Sequence, residues 1–229
     1  MPLIRFSHQA AQAPSVNKAV DGVRPVRWWR GGPDGNEQLT AATGVVLLIL
    51  LAALGVTIVF IGGLLSEHLF LGLLLLGPVA LKMASTGYRF MRYYTHDREY
   101  VRRGPPELWL RVLGPFVVLS TVAVFATGVW LLIVGPEHRD PALLLHKVTF
   151  FVWLAATGLH VLGHLLQMPA ALRATSLDGT GPGGHQAGAA GRILALTGAV
   201  VGGAVLAIAL IPDFSIWTAH LSLLHHHHG

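Results

Sequence analysis

Apolar residues fall in five long blocks along the chain, at 39–65, 68–94, 108–134, 143–167 and 191–211. At about 1.5 Å of rise per residue, each block is long enough as a helix to cross a bilayer. The predicted fold class is therefore all-α, an integral membrane helical bundle with five transmembrane helices. The polar segments between the blocks are short and leave no room for a second soluble domain. Three regions follow: a polar arm at 1–38, the transmembrane domain at 39–212, and a tail at 213–229. The arm lacks an early apolar core, so it does not read as a signal peptide. With Pro14, Pro25 and Pro33 it reads as a polar, partly disordered segment.

Punctuation within the blocks adds detail. A tight turn is expected at Ser66–Glu67, between the first and second spans. Gly77–Pro78 interrupts the second span and should kink it, freeing a carbonyl. Gly114–Pro115 and Thr127–Gly128 in the third span are places where a flat ligand or a neighbouring helix can approach closely. The stretch 168–190, with its run Thr180–Gly184, reads as a flexible linker. Pro212–Leu224 reads as an aromatic, weakly amphipathic tail.

Charge gives the topology. Arg5, Lys18, Arg24, Arg27 and Arg30 precede the first span, and Arg89, Arg92, Arg98, Arg102 and Arg103 follow the second. The positive-inside rule puts these segments in the cytoplasm, the N-terminus inside and the C-terminus outside. On the outer side only Arg139 and Lys147 stand against this pattern. The net charge of +5 reflects these flanks, so nucleic acid is not an expected partner; the lipid bilayer is. A hydrophobic content of 53%, a charged content of 12% and a mean hydropathy of +0.59 agree. The chain has no cysteine, which removes disulfides, thiol chemistry and iron–sulfur ligation. It has 13 histidines, of which His225–His228 form a terminal run that is either a purification tag or a native tail.

The remaining histidines carry the candidate chemistry. The fourth span holds His146, His160 and His164, and a polar ring in lipid is costly without a partner. His160 follows His146 by 14 residues, close to a whole number of turns, so both rings leave one face about 21 Å apart in depth. His164 is also in phase with His146, and either it or His160 is available as an inner ligand. The second span runs in the same direction and opens with His68, at the depth of His146. Lys82 follows His68 by the same 14-residue interval and falls at the depth of His160. Neutral imidazoles are good axial ligands for low-spin haem iron. A lysine ligates only as the free amine, which burial favours; its other reading is snorkelling towards the membrane face. Each histidine also has a plainer reading as an interfacial or packing residue. The matched depths and intervals are what single these positions out. His96, His138 and His185 lie in loops and read as solvated.

With His68 opening the second span and His146 and His160 in the fourth, the chain resembles membrane-bound b-type cytochromes of the cytochrome b561-like superfamily. These include the gamma subunits of formate dehydrogenases and the cytochrome b subunits of nickel–iron hydrogenases. The resemblance covers residues 39–167 and rests on spacing and architecture. It implies haem b, in one or two copies, and electron transfer between the quinone pool and a soluble or peripheral redox subunit. It also implies a bacterial cytoplasmic membrane and a subunit of an oxidoreductase complex. Such dihaem proteins usually supply a fourth histidine for the second haem, and the first, second, third and fifth spans here contain none besides His68. Related subunits use lysine or methionine, so Lys82 or Met83 is the implied substitute; otherwise the protein holds a single haem. Two further classes stay open: a ferric-reductase-like protein served by a separate flavin polypeptide, and a haem-free membrane anchor or metal-handling protein.

Overall fold

The computed structural model of the protein describes residues 32–102, 108–177 and 189–217. The described chain is all-α. Its helices are α1 (Gly32–Val59), α2 (Leu65–Tyr94), the short α3 (Arg98–Val101), α4 (Leu108–Val134), α5 (Arg139–Leu177) and α6 (Ala189–Ala209), with a 3-10 turn at Pro136–His138 before α5. Five of these, all but α3, are long and apolar enough to cross a membrane, which makes this a multi-pass membrane protein. Large apolar side chains on every one of the five point outward, among them Val59, Phe90, Ile133, Phe151 and Val205, as lipid-facing surfaces require. Residues 1–31 of the expected arm, residues 178–188 of the expected linker with His185, Arg103, and the histidine run lie outside the described residues.

Several boundaries differ from the apolar blocks. The turn between α1 and α2 falls at residues 60–64, where the Gly63 and Leu64 amides both donate to the Phe60 carbonyl at 3.0 Å. Ser66 and Glu67 belong to the first turn of α2 instead. The glycine pair Gly62–Gly63 is the weaker helix former, and Glu67 complements the positive end of the α2 dipole. The first helix starts before its apolar block because polar side chains tie it to α2. Asn36 Nδ2 donates to the Ser85 carbonyl at 3.0 Å, and Thr40 Oγ1 meets Ser85 Oγ at 3.0 Å. The fourth span's helix continues past 167 to Leu177 through an alanine-rich stretch of good helix formers.

α2 is the hub. It packs against α1 on one side and α6 on the other, and α4 and α5 form a separate antiparallel pair. α2 touches α4 only lightly and makes no extensive backbone contact with α5. The apolar core holds Leu73 and Leu74 of α2, Ala207 of α6, and Phe214 from the helical residues 211–217.

Helix α2 runs unbroken through Pro78, which is fully buried. Pro78 has no N–H to give the Leu74 carbonyl one turn earlier. A Cβ built on Gly203 of α6 would collide with that same carbonyl, and one on Gly77 would collide with the Ala199 carbonyl. The two helices therefore meet backbone to backbone, and the carbonyl freed by the proline faces a glycine Cα of α6. Close Cα–H···O contacts of this kind favour glycine at a membrane helix crossing.

At the opposite end of α2, Arg92 pairs with Asp97 at 2.6 Å. Its guanidinium also lies 5.8 Å and 6.0 Å from the Tyr88 and Tyr100 ring centroids. These contacts fold α3 back onto the helix end.

Candidate functional site: a facing histidine pair

His68, in the first turn of α2, and His146, in the first third of α5, both lie at the end of the bundle where α1 turns into α2. The two rings are close enough to interact electrostatically across the space between their helices. Helices in direct contact lie about 8–10 Å apart. α2 and α5 do not pack in that way, which leaves a gap between the two backbones.

Each ring is held by a threonine from a neighbouring helix. Thr57 Oγ1 of α1 lies 3.0 Å from His68 Nδ1. Thr127 Oγ1 of α4 lies 3.2 Å from His146 Nδ1. Both threonines are buried. Thr127 Oγ1 also reaches the Val124 carbonyl of its own helix at 3.0 Å. Thr149 Oγ1 joins the cluster at 2.9 Å from Thr127 Oγ1. A Cβ on Gly128 would lie 3.1 Å from His146 Cε1, so the glycine lets the imidazole approach α4 closely. In both histidines the nitrogen engaged is Nδ1.

Further along α5 the same stripe packs on α4. Trp153 Nε1 donates to Thr121 Oγ1 at 3.1 Å. Phe150 stacks near Trp153, with ring centroids 6.2 Å apart, while Phe151 faces outward, so these aromatics pack rather than line a box. Beyond them Thr157 Oγ1 and Arg111 Nε are buried without a hydrogen-bond partner, and the Arg111 guanidinium lies 5.9 Å from the Tyr93 ring centroid. His160 is half-buried on this helix. The His164 side chain lies outside the described residues.

Lys82 takes a different direction. Its Nζ donates to the Thr40 carbonyl of α1 at 2.6 Å, and a Cβ on Gly44 would lie 3.1 Å from it. The ammonium thus fills a notch in α1 cut by a glycine. The structure brings His68 and His146 together and directs Lys82 to α1 rather than to α5. Met83 and Lys82 are both half-buried on α2. Among the described residues, no three His, Cys, Asp or Glu side chains cluster as a cage for a bare metal ion.

The sequence marked Thr127–Gly128 as a place of close approach, and the His146 ring is what approaches there. Thr57 was missed. Its signal was the last of three threonines in the first span, 11 residues before His68 across a tight turn.

Comparison of the chain with protein-family models, with curated proteins and with solved structures finds no match in any of the three.

Proposed function

We propose that the protein is a membrane-bound b-type cytochrome subunit, with haem b held between His68 and His146. The observation that carries this reading is the pair of imidazoles, on helices that do not pack together, each engaged through Nδ1. Nε2 of each ring is then left for a metal in the gap. Two nitrogen donors suit a porphyrin iron, because the macrocycle supplies the equatorial ligands itself. Bound there, haem would supply a one-electron Fe(III)/Fe(II) couple. The chain's own part is to fix both rings, exclude water with apolar helices, and keep the centre at one end of the membrane domain.

The arginine-bearing end, with Arg89, Arg92, Arg98 and Arg102, is assigned to the cytoplasm by the positive-inside rule. The histidine pair then lies towards the outer face. Electron exchange would connect a soluble or peripheral redox subunit with quinone in the lipid. Thr157 Oγ1 and Arg111 Nε offer hydrogen-bond donors that quinone carbonyls would accept. The cytochrome b561-like class is the family we propose on this basis.

A second haem between His160 and Lys82 would require the lysine to leave the Thr40 carbonyl, so the reading favoured is a single haem. Purified protein should show a Soret band, and a reduced alpha band on dithionite addition, with one haem per chain. A haem-free spectrum would refute the proposal. Lys82→Ala should leave the haem content unchanged. A fall to half of a two-haem wild-type value would instead establish lysine ligation.

A further inference from the structure

We propose that Thr57 and Thr127 are a matched pair of positioning residues that fix His68 and His146 as the Nδ1–H tautomer, turning both bare Nε2 lone pairs towards the gap between α2 and α5. This rests on the reading of that gap as the haem site.

A threonine hydroxyl has one hydrogen to give and lone pairs to accept with. Thr57 Oγ1 gives its hydrogen to the Leu54 carbonyl, 2.6 Å away in its own helix. Towards His68 Nδ1 it can only accept, so Nδ1 carries the proton. Thr127 repeats the arrangement. Its hydroxyl lies 2.9 Å from the Ala123 carbonyl, 3.0 Å from the Val124 carbonyl and 2.9 Å from Thr149 Oγ1, which itself reaches the Leu145 and His146 carbonyls, so the single Thr127 hydrogen is engaged among these acceptors. His146 Nδ1, 3.2 Å away, again faces a hydroxyl whose hydrogen is engaged elsewhere. In a neutral imidazole with Nδ1 protonated, Nε2 is the ligand nitrogen.

The symmetry is structural as well as chemical. Each threonine sits on the helix that precedes its histidine's helix in the chain, α1 for α2 and α4 for α5. Each is anchored to its own backbone, so neither hydroxyl has freedom to reverse the bond. Partners of this kind orient a ligating ring and set its basicity, and their loss typically costs about 10–100-fold in affinity. A hydroxyl is a weaker acceptor than a carboxylate. It orients the ring without pushing it towards imidazolate character.

The test uses the full chain in detergent, with and without added haemin. Side-chain nitrogen NMR of the haem-free protein labelled with nitrogen-15 histidine should report His68 and His146 as Nδ1–H. Thr57→Val should change the His68 tautomer alone, and Thr127→Val that of His146 alone. Each should weaken haemin binding by about 10–100-fold. Thr57→Ser and Thr127→Ser should restore both tautomer and affinity. This one-to-one correspondence separates a positioning role from general unfolding, which would move both rings together and would not be rescued by serine. Wild-type tautomers with the proton on Nε2 would overturn the proposal. So would valine variants that leave both tautomers and haemin affinity unchanged in a protein that does bind haemin. A wild-type chain that binds no haemin would overturn the haem reading, whatever its tautomers.

Discussion

Chains with alanine at His68 or at His146 will retain their helices and purify without haem. Neither ring is part of the apolar core, which is built from Leu73, Leu74, Ala207 and Phe214 on the α6 side of α2. Loss of either imidazole therefore leaves the α2–α6 packing intact. The effect on the site is different. A haem bound between His68 and His146 would be tied to both helix units through these two side chains. Removal of either imidazole would leave it attached to a single helix. The expected loss of affinity exceeds the about 10–100-fold attributed to an orienting partner, because the ligand itself is gone. His96→Ala, in the turn after α2, is the control that should keep full haem content. Circular dichroism together with haem content checks the outcome. Retention of stoichiometric haem in both His68→Ala and His146→Ala would remove the pair from the site.

The second large effect concerns the fold. Gly203→Leu should break the α2–α6 crossing, because the new side chain meets the Leu74 carbonyl and its backbone. Backbone cannot swing aside as a flexible side chain can. The helices must separate, and the freed Leu74 carbonyl then loses its cover in a medium without water. Overpacking in a closed core costs about 1–3 kcal/mol, and loss of the crossing adds to it. Gly202 supplies the control, since a Cβ there meets nothing within 4 Å. Gly202→Leu should be close to neutral in thermal or denaturant unfolding in detergent, and Gly203→Leu strongly destabilised. Equal behaviour of the two would contradict the close crossing. Gly77→Leu should behave like Gly203→Leu, because the contact is reciprocal.

The membrane fold was legible because its signal is length. Apolar blocks of bilayer-spanning extent left few alternatives, and the five helices lie where those blocks are. Boundaries were less legible because polar side chains decided them. Asn36 and Thr40 extend α1 by bonding to Ser85, a partner far away in sequence. The turn between α1 and α2 followed the glycine pair rather than the polar pair beside it. Gly77–Pro78 was read correctly as a source of a freed carbonyl, but what covers that carbonyl belongs to α6, and no local pattern could supply it.

The site divides in the same way. Equal depth brought His68 and His146 into one proposal, since helix rise converts position into depth directly. Depth carries no azimuth, however. Lys82 shares its level with His160, yet it leaves α2 on the side of α1, where Gly44 makes room for it. The interval of 14 residues was the same on both helices, and only the packing of α2 against α1 decides where that interval leads. The threonines were harder still. Thr57 and Thr127 look like ordinary small residues in apolar spans, and their role depends on which carbonyl takes the hydroxyl hydrogen.

The most direct measurement of the central claim is electron paramagnetic resonance of the oxidised protein at low temperature. Two neutral imidazoles on one iron predict a low-spin ferric signal at one spin per chain, lost in His68→Ala and in His146→Ala and unchanged in Lys82→Ala. A wild-type signal that is high-spin, that persists without either histidine, or that is missing from protein shown to be oxidised would contradict a haem held between His68 and His146.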